Sequence, residues 1–293
     1  MKPRSCKKFI TEENGQNRKM EKGMLYLCAT PIGNLEDITL RALRMLRECD
    51  AVACEDTRHT GKLLAHFEIK KPMISYHKFN ERARSAELLE RLERGEKIVL
   101  VSDAGMPGIS DPGFVAAAEA QAAGYPVTVI PGANAGLCAL LLSTFSCERF
   151  VFEGFLPENK KERAERLAQL KQEQRTVILY ESPHNLSQTL KEIYSALGNR
   201  RICAVRELTK LHEESVVFAL EKYEGFLQEH PPRGEYVLVL EGVRPEPEMF
   251  KGTVEEQVRL LMQQGIDKKS AVKEVARSRG VPKNEIYQQV LEL

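Results

Sequence analysis

The chain has 293 residues, 42% of them hydrophobic and 29% charged, a length that predicts two or three domains with a core formed without disulfides or metal. With 43 Lys plus Arg against 42 Asp plus Glu, no global field draws it to nucleic acid or to an anionic membrane, so any site for a polyanion is a local patch. Seven cysteines without a C-x-x-C pair read as reduced, buried thiols of a cytosolic protein, and no segment approaches membrane-spanning length.

Residues 1–23 carry seven Lys/Arg and three Glu but no apolar run, which predicts a disordered leader, no signal peptide and a cytoplasmic location. From Met24 short apolar strands alternate with amphipathic helices: MLYLCA, a helix over Leu40–Arg47, AVAC, a helix from Thr57, a helix over Phe79–Arg94 with Asn80 as N-cap, KIVLVS, a helix from near Asp111, and VTVI. This is an α/β pattern with a largely parallel sheet, expected over residues 24–140. The apolar helix GANAGLCALLLSTF reads as a linker. A second α/β domain, richer in antiparallel strands, follows over 141–243: RFVFEGF, a charged helix Lys160–Gln172, TVILYES, a helix to Leu197, RICAV, ESVVFAL and YVLVLEG. VRPEPEMFKG then reads as a linker to three short helices over 250–293.

Three strand ends carry Pro/Gly loops: ATPIGNLED (Ala29–Asp37), SDAGMPGISDPG (Ser102–Gly113) and PGANAG (Pro131–Gly136). Ligands of open α/β sheets bind at such carboxyl ends, where small residues let the backbone approach. The twelve-residue middle loop is longer than a strand-to-helix connection requires. None matches G-x-G-x-x-G or G-x-x-x-x-G-K-[ST], so the expected ligand carries no polyphosphate.

ATPIGNLEDIT, VSDAGMPGISDPG and VTVIPGANA, in this order, resemble the tetrapyrrole-methylase class of S-adenosylmethionine-dependent enzymes. With ACEDTRHTGKLL, YESPHNL, RELTKLHEE and RGEYVLVLEG the resemblance extends over residues 24–243 and narrows to the branch that methylates small-subunit ribosomal RNA. The resemblance implies transfer to the ribose 2′-hydroxyl of a cytidine in the decoding region of 16S rRNA, a two-domain fold with the cofactor between the domains, and a homodimer. It departs from the wider class at Ala29-Thr30-Pro31-Ile32-Gly33-Asn34, where many members have Gly-x-Gly-Pro-Gly-Asp, and at Gly105-Met106-Pro107, where they have Gly-Asp-Pro.

The resemblance places S-adenosylmethionine against Asp103, Ala104, Gly105, Ile109 and Ser110, beside Pro131, Gly132 and Ala133, with Glu181, Ser182, Arg206 and Glu207 opposite. Pro31 and Gly33 of the first loop complete the expected cofactor set. Asp103 is the expected partner of the ammonium group, or else a turn aspartate. The cluster Glu55, Asp56, Arg58, His59 stands at the end of AVAC: Glu55 or Asp56 is the candidate base and Arg58 a phosphate contact. The same residues also fit a helix cap by Asp56 and a Glu55–Arg58 pair. No second His or Cys group has metal-ligand spacing, so no metal is expected.

Basic strips at Arg41, Arg44 and Arg47 and at Lys160, Lys161, Arg163 and Arg166 read chiefly as solvated faces. In the tail, Ala276, Gly280 and Ile286 have helix-turn-helix spacing, with Lys268, Lys269, Lys273, Arg277, Arg279 and Lys283 as candidate RNA contacts; a helical hairpin docked on the body is the other reading. A small-molecule methylase of the tetrapyrrole type and a non-catalytic RNA-binding or ribosome-assembly factor are the competing functions.

Overall fold

The computed structural model describes residues 22–243 and 252–291. The expected leader, but for Lys22 and Gly23, and nearly all of the expected linker after Gly242 lie outside the described residues.

Strands β1 (Met24–Cys28), β2 (Ala51–Cys54), β3 (Met73–Ser75), β4 (Lys97–Val101) and β5 (Val127–Ile130) form a sheet in the order β3-β2-β4-β1-β5, every pair parallel. Helices α1 (Leu40–Glu48), α2 (Thr57–His66), α3 (Glu81–Glu93) and α4 (Phe114–Ala122) connect them. The strands read as unbroken apolar runs because both faces are covered. In β4, Val99 and Val101 pack with Met45 and Leu46 of α1, while Ile98 and Leu100 pack with Leu88 and Leu92 of α3 and with Ala116 and Ala120 of α4.

Two helices start later than their sequence suggests. Asp111 precedes Pro112, which disfavours helical backbone, and Gly113 has φ +139°, so α4 begins only at Phe114. Helix α3 runs over Glu81–Glu93, not from Phe79; Asn80 holds the expected N-cap position, but its side chain turns back to accept from the His77 N–H at 2.8 Å and makes no cap bond.

Helix α5 (Ala135–Ser143) leads into β6 (Phe150–Phe155), α6 (Lys160–Leu170), β7 (Thr176–Glu181), α7 (Leu186–Leu197), β8 (Arg201–Arg206), β9 (Glu214–Ala219), α8 (Tyr223–Glu229) and β10 (Tyr236–Leu240). The second sheet runs β6-β7-β10-β8-β9, with β6–β7 parallel and the other pairs antiparallel. Helices α6, α7 and α8 cover one face through Leu167, Leu190, Ile193 and Phe226. On the other face Ala139 and Leu140 of α5 pack with Ile178, Cys203, Val205 and Val237, and Ile32 from the loop after β1 joins them.

The tail holds α9 (Val254–Gln263), α10 (Lys268–Arg279) and α11 (Lys283–Gln289), around a core of its own built from Val258, Ala271, Val272, Val275, Ala276, Ile286 and Val290. Thr253 and Glu256 close a reciprocal capping box on α9, and Gly280 ends α10 in the left-handed conformation that favours glycine.

All six described cysteines are free; Cys28, Cys49, Cys54 and Cys203 are buried, and burial pushes the Cys28 thiol up to about 12. Cys147, against expectation, is exposed. Among the described residues no helix is long and apolar enough to cross a membrane.

Candidate active site

The three Pro/Gly loops meet at the carboxyl edge of the first sheet. Thr30 and Gly105 exchange both backbone hydrogen bonds, at 2.9 and 3.1 Å, and the Thr30 hydroxyl donates to the Ser102 carbonyl at 3.2 Å. Gly105, at φ +81°, takes a backbone conformation that side-chain-bearing residues rarely adopt. A Cβ on Gly132 would stand 2.8 Å from that of Ala29, so the third loop abuts the first through bare backbone.

These loops and the second-domain strand ends enclose a cavity of about 410 Å³. Of the expected cofactor contacts, Asp103, Ala104, Gly105, Ile109, Ser110, Glu181 and Ser182 line it, as does the candidate base Glu55. Ile32, Asp111, Asn134, Phe155, Tyr180, Leu208, Glu235, Tyr236 and Val237 also line it and were not singled out by sequence reasoning. Several had a signal: Ile32, Asp111 and Asn134 belong to the three Pro/Gly loops, and Tyr180, Glu235, Tyr236 and Val237 to the segments YESPHNL and RGEYVLVLEG. Ser110 has φ +66°, a strained backbone for a side-chain-bearing residue, and its hydroxyl lies beside Gly154 at the β6 bulge, where a Cβ would meet it at 3.0 Å.

The cavity is anionic. Glu55, Asp103, Asp111, Glu181 and Glu235 line it, and among the described residues no Lys, Arg or His does. Burial holds the Glu55 carboxyl above its usual range; the charge of Asp103 adds to this and His77 opposes it. Asp111 is pushed up to about 6 by burial first and then by Glu55 and Asp103. Asp103 accepts from the Asp56 N–H at 3.2 Å, tying the loop after β2 to the loop after β4. Glu181 is engaged on its outer side, accepting from Thr189 Oγ1 at 2.5 Å and from the Ser182 N–H at 2.8 Å. Tyr180 stands edge-on to Phe152 and Phe155, and its hydroxyl accepts from the Gly136 N–H at the start of α5.

The remaining candidates lie off the cavity wall. Asp56 caps α2 and grips Arg58 through both oxygens, at 3.3 and 3.0 Å, and that pairing pushes its carboxyl down to about 2. The Arg58 side chain is 88% exposed and its partner is Asp56, not Glu55. Pro31 and Gly33 belong to the first loop, where a Cβ on Gly33 would stand 2.5 Å from Lys210 Cγ. Pro131, Gly132 and Ala133 precede α5 and do not line the cavity, which the same loop reaches through Asn134 and Ala135. Arg206 pairs with Glu214 at 3.1 Å, and Glu207 accepts from Lys210 Nζ and the Glu235 N–H, both at 2.9 Å, positioning the Glu235 that lines the cavity.

In the tail, Lys269, Lys273, Arg277 and Lys283 line one shallow surface. Lys268 reaches the Leu291 carbonyl at 3.4 Å. Arg279 is turned inward, donating to Gln257 and to the Gly252 carbonyl, both at 2.7 Å, and so braces α10 on α9. Of the basic strips, Arg163 is likewise engaged internally, with Glu192 and Thr189. Among the described residues no cluster of three or more His, Cys, Asp or Glu is arranged to hold a metal ion.

Residues 24–224 match the family Tetrapyrrole (Corrin/Porphyrin) Methylases. The chain is 46% identical to a Synechocystis protein named ribosomal RNA small subunit methyltransferase I, over 92% of this chain and 98% of that one. It is 43% identical to a Bacillus subtilis protein of the same name, covering 92% and 95%. A Thermotoga maritima protein, again so named, is 43% identical over 220 residues, which are 75% of this chain and 99% of its own length. Among solved structures, uroporphyrin-III C-methyltransferase from Thermus thermophilus complexed with S-adenyl homocysteine superposes with a TM-score of 0.53 at 21% identity, covering 74% and 96%. A diphthine synthase superposes at 0.56 with 15% identity, covering 75% and 90%.

Proposed function

From the premise that the chain belongs to the tetrapyrrole (corrin/porphyrin) methylases, in the group named ribosomal RNA small subunit methyltransferase I, we propose that it methylates the 2′-hydroxyl of a cytidine in the decoding region of 16S rRNA with S-adenosylmethionine. The observation that carries this reading is a cavity lined by five carboxylates and, among the described residues, by no cationic side chain. Glu235 is paired with Lys210 and Glu181 lies 3.9 Å from Arg163, which leaves Glu55, Asp103 and Asp111 to set its charge. A ligand with a sulfonium and an ammonium fits that lining, and a polyphosphate does not. The residues present fit the cofactor: Asp103 and Asp111 would take its cationic groups, Gly105 and its neighbours would offer backbone, and Ile32, Ile109, Leu208 and Val237 would receive a purine.

When bound, S-adenosylmethionine supplies a methyl group open to in-line displacement at a sulfonium. Acceleration then rests on holding the acceptor hydroxyl near and aligned, and on removing its proton. Glu55 accepts that proton: it lines the cavity and its raised carboxyl works closer to neutral pH. Asp56, committed to Arg58, is a weak base and keeps the Arg58 guanidinium at the rim. Phosphates are repelled by the carboxylates and stay outside, where Arg58 and the tail cations Lys268, Lys269, Lys273, Arg277 and Lys283 hold them. The same reading includes a homodimer in the cytoplasm; Leu141 of α5 is 72% exposed and Phe152 of β6, beside the same helix, also faces out, an apolar face suited to a second copy.

The test is calorimetric titration with S-adenosylmethionine, followed by transfer of a labelled methyl group to small-subunit particles lacking the modification. Binding, transfer and an alkali-resistant phosphodiester at the labelled nucleotide are expected. Label in an alkali-sensitive position removes the 2′-hydroxyl assignment. Binding without transfer favours a small-molecule acceptor, and absence of binding removes the enzyme reading.

A further inference from the structure

We propose that the turn between β3 and α3, His77-Lys78-Phe79, is a stacking platform for a base of the acceptor RNA, with Phe79 as the stacking ring; this rests on the RNA acceptor proposed above.

The turn stands beside the candidate base. Strand β3 runs parallel to β2 with Ser75 opposite Cys54, and the Tyr76 N–H donates to the Cys54 carbonyl at 2.8 Å. Glu55 and His77 therefore leave the same carboxyl edge on neighbouring strands, and His77 acts electrostatically on Glu55.

The turn is also held rigid. Asn80 accepts from the His77 N–H at 2.8 Å and donates to the Ser75 carbonyl at 3.2 Å and to His77 Nε2 at 3.1 Å. With Nε2 accepting, the hydrogen of a neutral ring sits on Nδ1, which is buried without a protein partner. Stability of the fold does not account for this arrangement. An unpaired buried donor weakens it, and Phe79, 95% exposed and touching the His77 ring edge-on at 6.1 Å between centroids, buries almost nothing.

An exposed aromatic ring flanked by the exposed cations Lys78 and Arg82 is the chemistry of single-stranded nucleic-acid recognition: any base offers a π face, and the cations take its phosphates. The anionic cavity sharpens the assignment. A ribose that presents its hydroxyl to Glu55 must keep its phosphates outside the cavity and swing its base out of the RNA stack. Phe79 is an exposed ring on the strand edge beside the one that carries Glu55, whereas Phe155, the exposed ring that lines the cavity, packs edge-on against Tyr180.

The chain has no tryptophan, so Phe79→Trp places a single reporter in the turn. Titration of Phe79→Trp with a single-stranded RNA decanucleotide is expected to quench its fluorescence saturably, and an RNA duplex is expected not to. Phe79→Ala should raise KM for unmodified small-subunit particles by about tenfold, with kcat and the S-adenosylmethionine Kd little changed, and Phe79→Trp should restore KM. Wild-type transfer to particles with KM unchanged in Phe79→Ala overturns the platform and leaves the RNA reading standing. So does a Phe79→Ala protein that is monomeric where the wild type is dimeric, since Phe79 is then a contact between copies. Failure of the wild type to methylate the particles overturns the RNA reading and the platform together.

Discussion

The carboxylate of Asp103 accepts a hydrogen bond from the backbone N–H of Asp56 across 3.2 Å, so the residue assigned to the cofactor's ammonium also holds the loop that carries Glu55. Charge and scaffold separate on mutation. Asp103→Asn retains an acceptor for that N–H but loses the charge, and a charge-assisted hydrogen bond contributes about 1.5–3 kcal/mol. Calorimetry should show S-adenosylmethionine bound roughly 10- to 100-fold more weakly by Asp103→Asn, with Tm nearly unchanged. Asp103→Ala should lose affinity and Tm together. Equal affinity of Asp103→Asn and wild type would detach Asp103 from the cofactor.

Glu55→Gln removes the proposed base and keeps the side chain's size. Single-turnover transfer should fall by about 10²–10⁴ while cofactor binding holds. The base acts only when deprotonated, and burial and Asp103 raise its carboxyl above the ordinary value, so the rate should climb as pH rises through that raised value and then level off. Asp103 is the like charge that raises Glu55. In Asp103→Asn at saturating cofactor the Glu55 pKa therefore drops, and the acid limb of the rate profile should move to lower pH. A profile unmoved by Asp103→Asn, or full activity in Glu55→Gln, sinks the assignment.

Asp111 also makes a stability prediction with a definite sign. Its folded pKa of about 6 exceeds the ordinary carboxylate value of 3.8, so the folded state binds its proton more tightly than the unfolded chain. That benefit is complete below 3.8 and is lost as pH rises through about 6, above which the buried charge disfavours the fold. Asp111→Asn should therefore melt a few degrees above the wild type at pH 8, and the difference should shrink steadily on acidification to pH 4. The comparison belongs to the cofactor-free protein, in which no ligand cation neutralises the cavity. A constant difference across this range would mean that packing, not charge, sets it.

Much of this site is legible in the sequence, for identifiable reasons. Strand-end glycines mark backbone approach, so the loop Asp103–Ser110 stands out, and the fully buried parallel strands appear as apolar runs. Gly132 shows the limit: the same Pro/Gly signal arises where a Cβ would collide with Ala29, so packing and ligand contact look alike. Asp56 and Glu55 are chemically near-equivalent neighbours, and only the side-chain directions reveal that one grips Arg58 while the other lines the cavity. Tyr236, which opens β10, and Glu235 just before it lie far along the chain, and antiparallel pairing of β10 with β7 sets Tyr236 opposite Glu181 at the cavity. Arg279 looks like its basic neighbours until its hydrogen bonds to Gln257 and Gly252 place it inside the tail.

That position of Arg279 divides the tail cations into two groups with different mutant behaviour. Helices α9–α11 share a core of their own, so removing residues 250–293 should leave the melting of the two-sheet body and its cofactor affinity unchanged. The Thermotoga relative is matched over 99% of its length by 220 residues of this chain, about the length of the two-sheet body. Affinity for small-subunit particles should nevertheless fall. Lys269, Lys273 and Arg277 share one exposed surface, so their combined replacement by Ala should weaken particle binding at low salt and flatten its salt dependence by about 0.7–0.9 in slope per lost phosphate contact, with the tail still helical. Arg279→Ala should instead lower tail helicity by circular dichroism, because it releases α10 from Gln257 and Gly252. If the triple variant binds particles as tightly as wild type across the salt series, the tail is a folded appendage and RNA is held by the body alone.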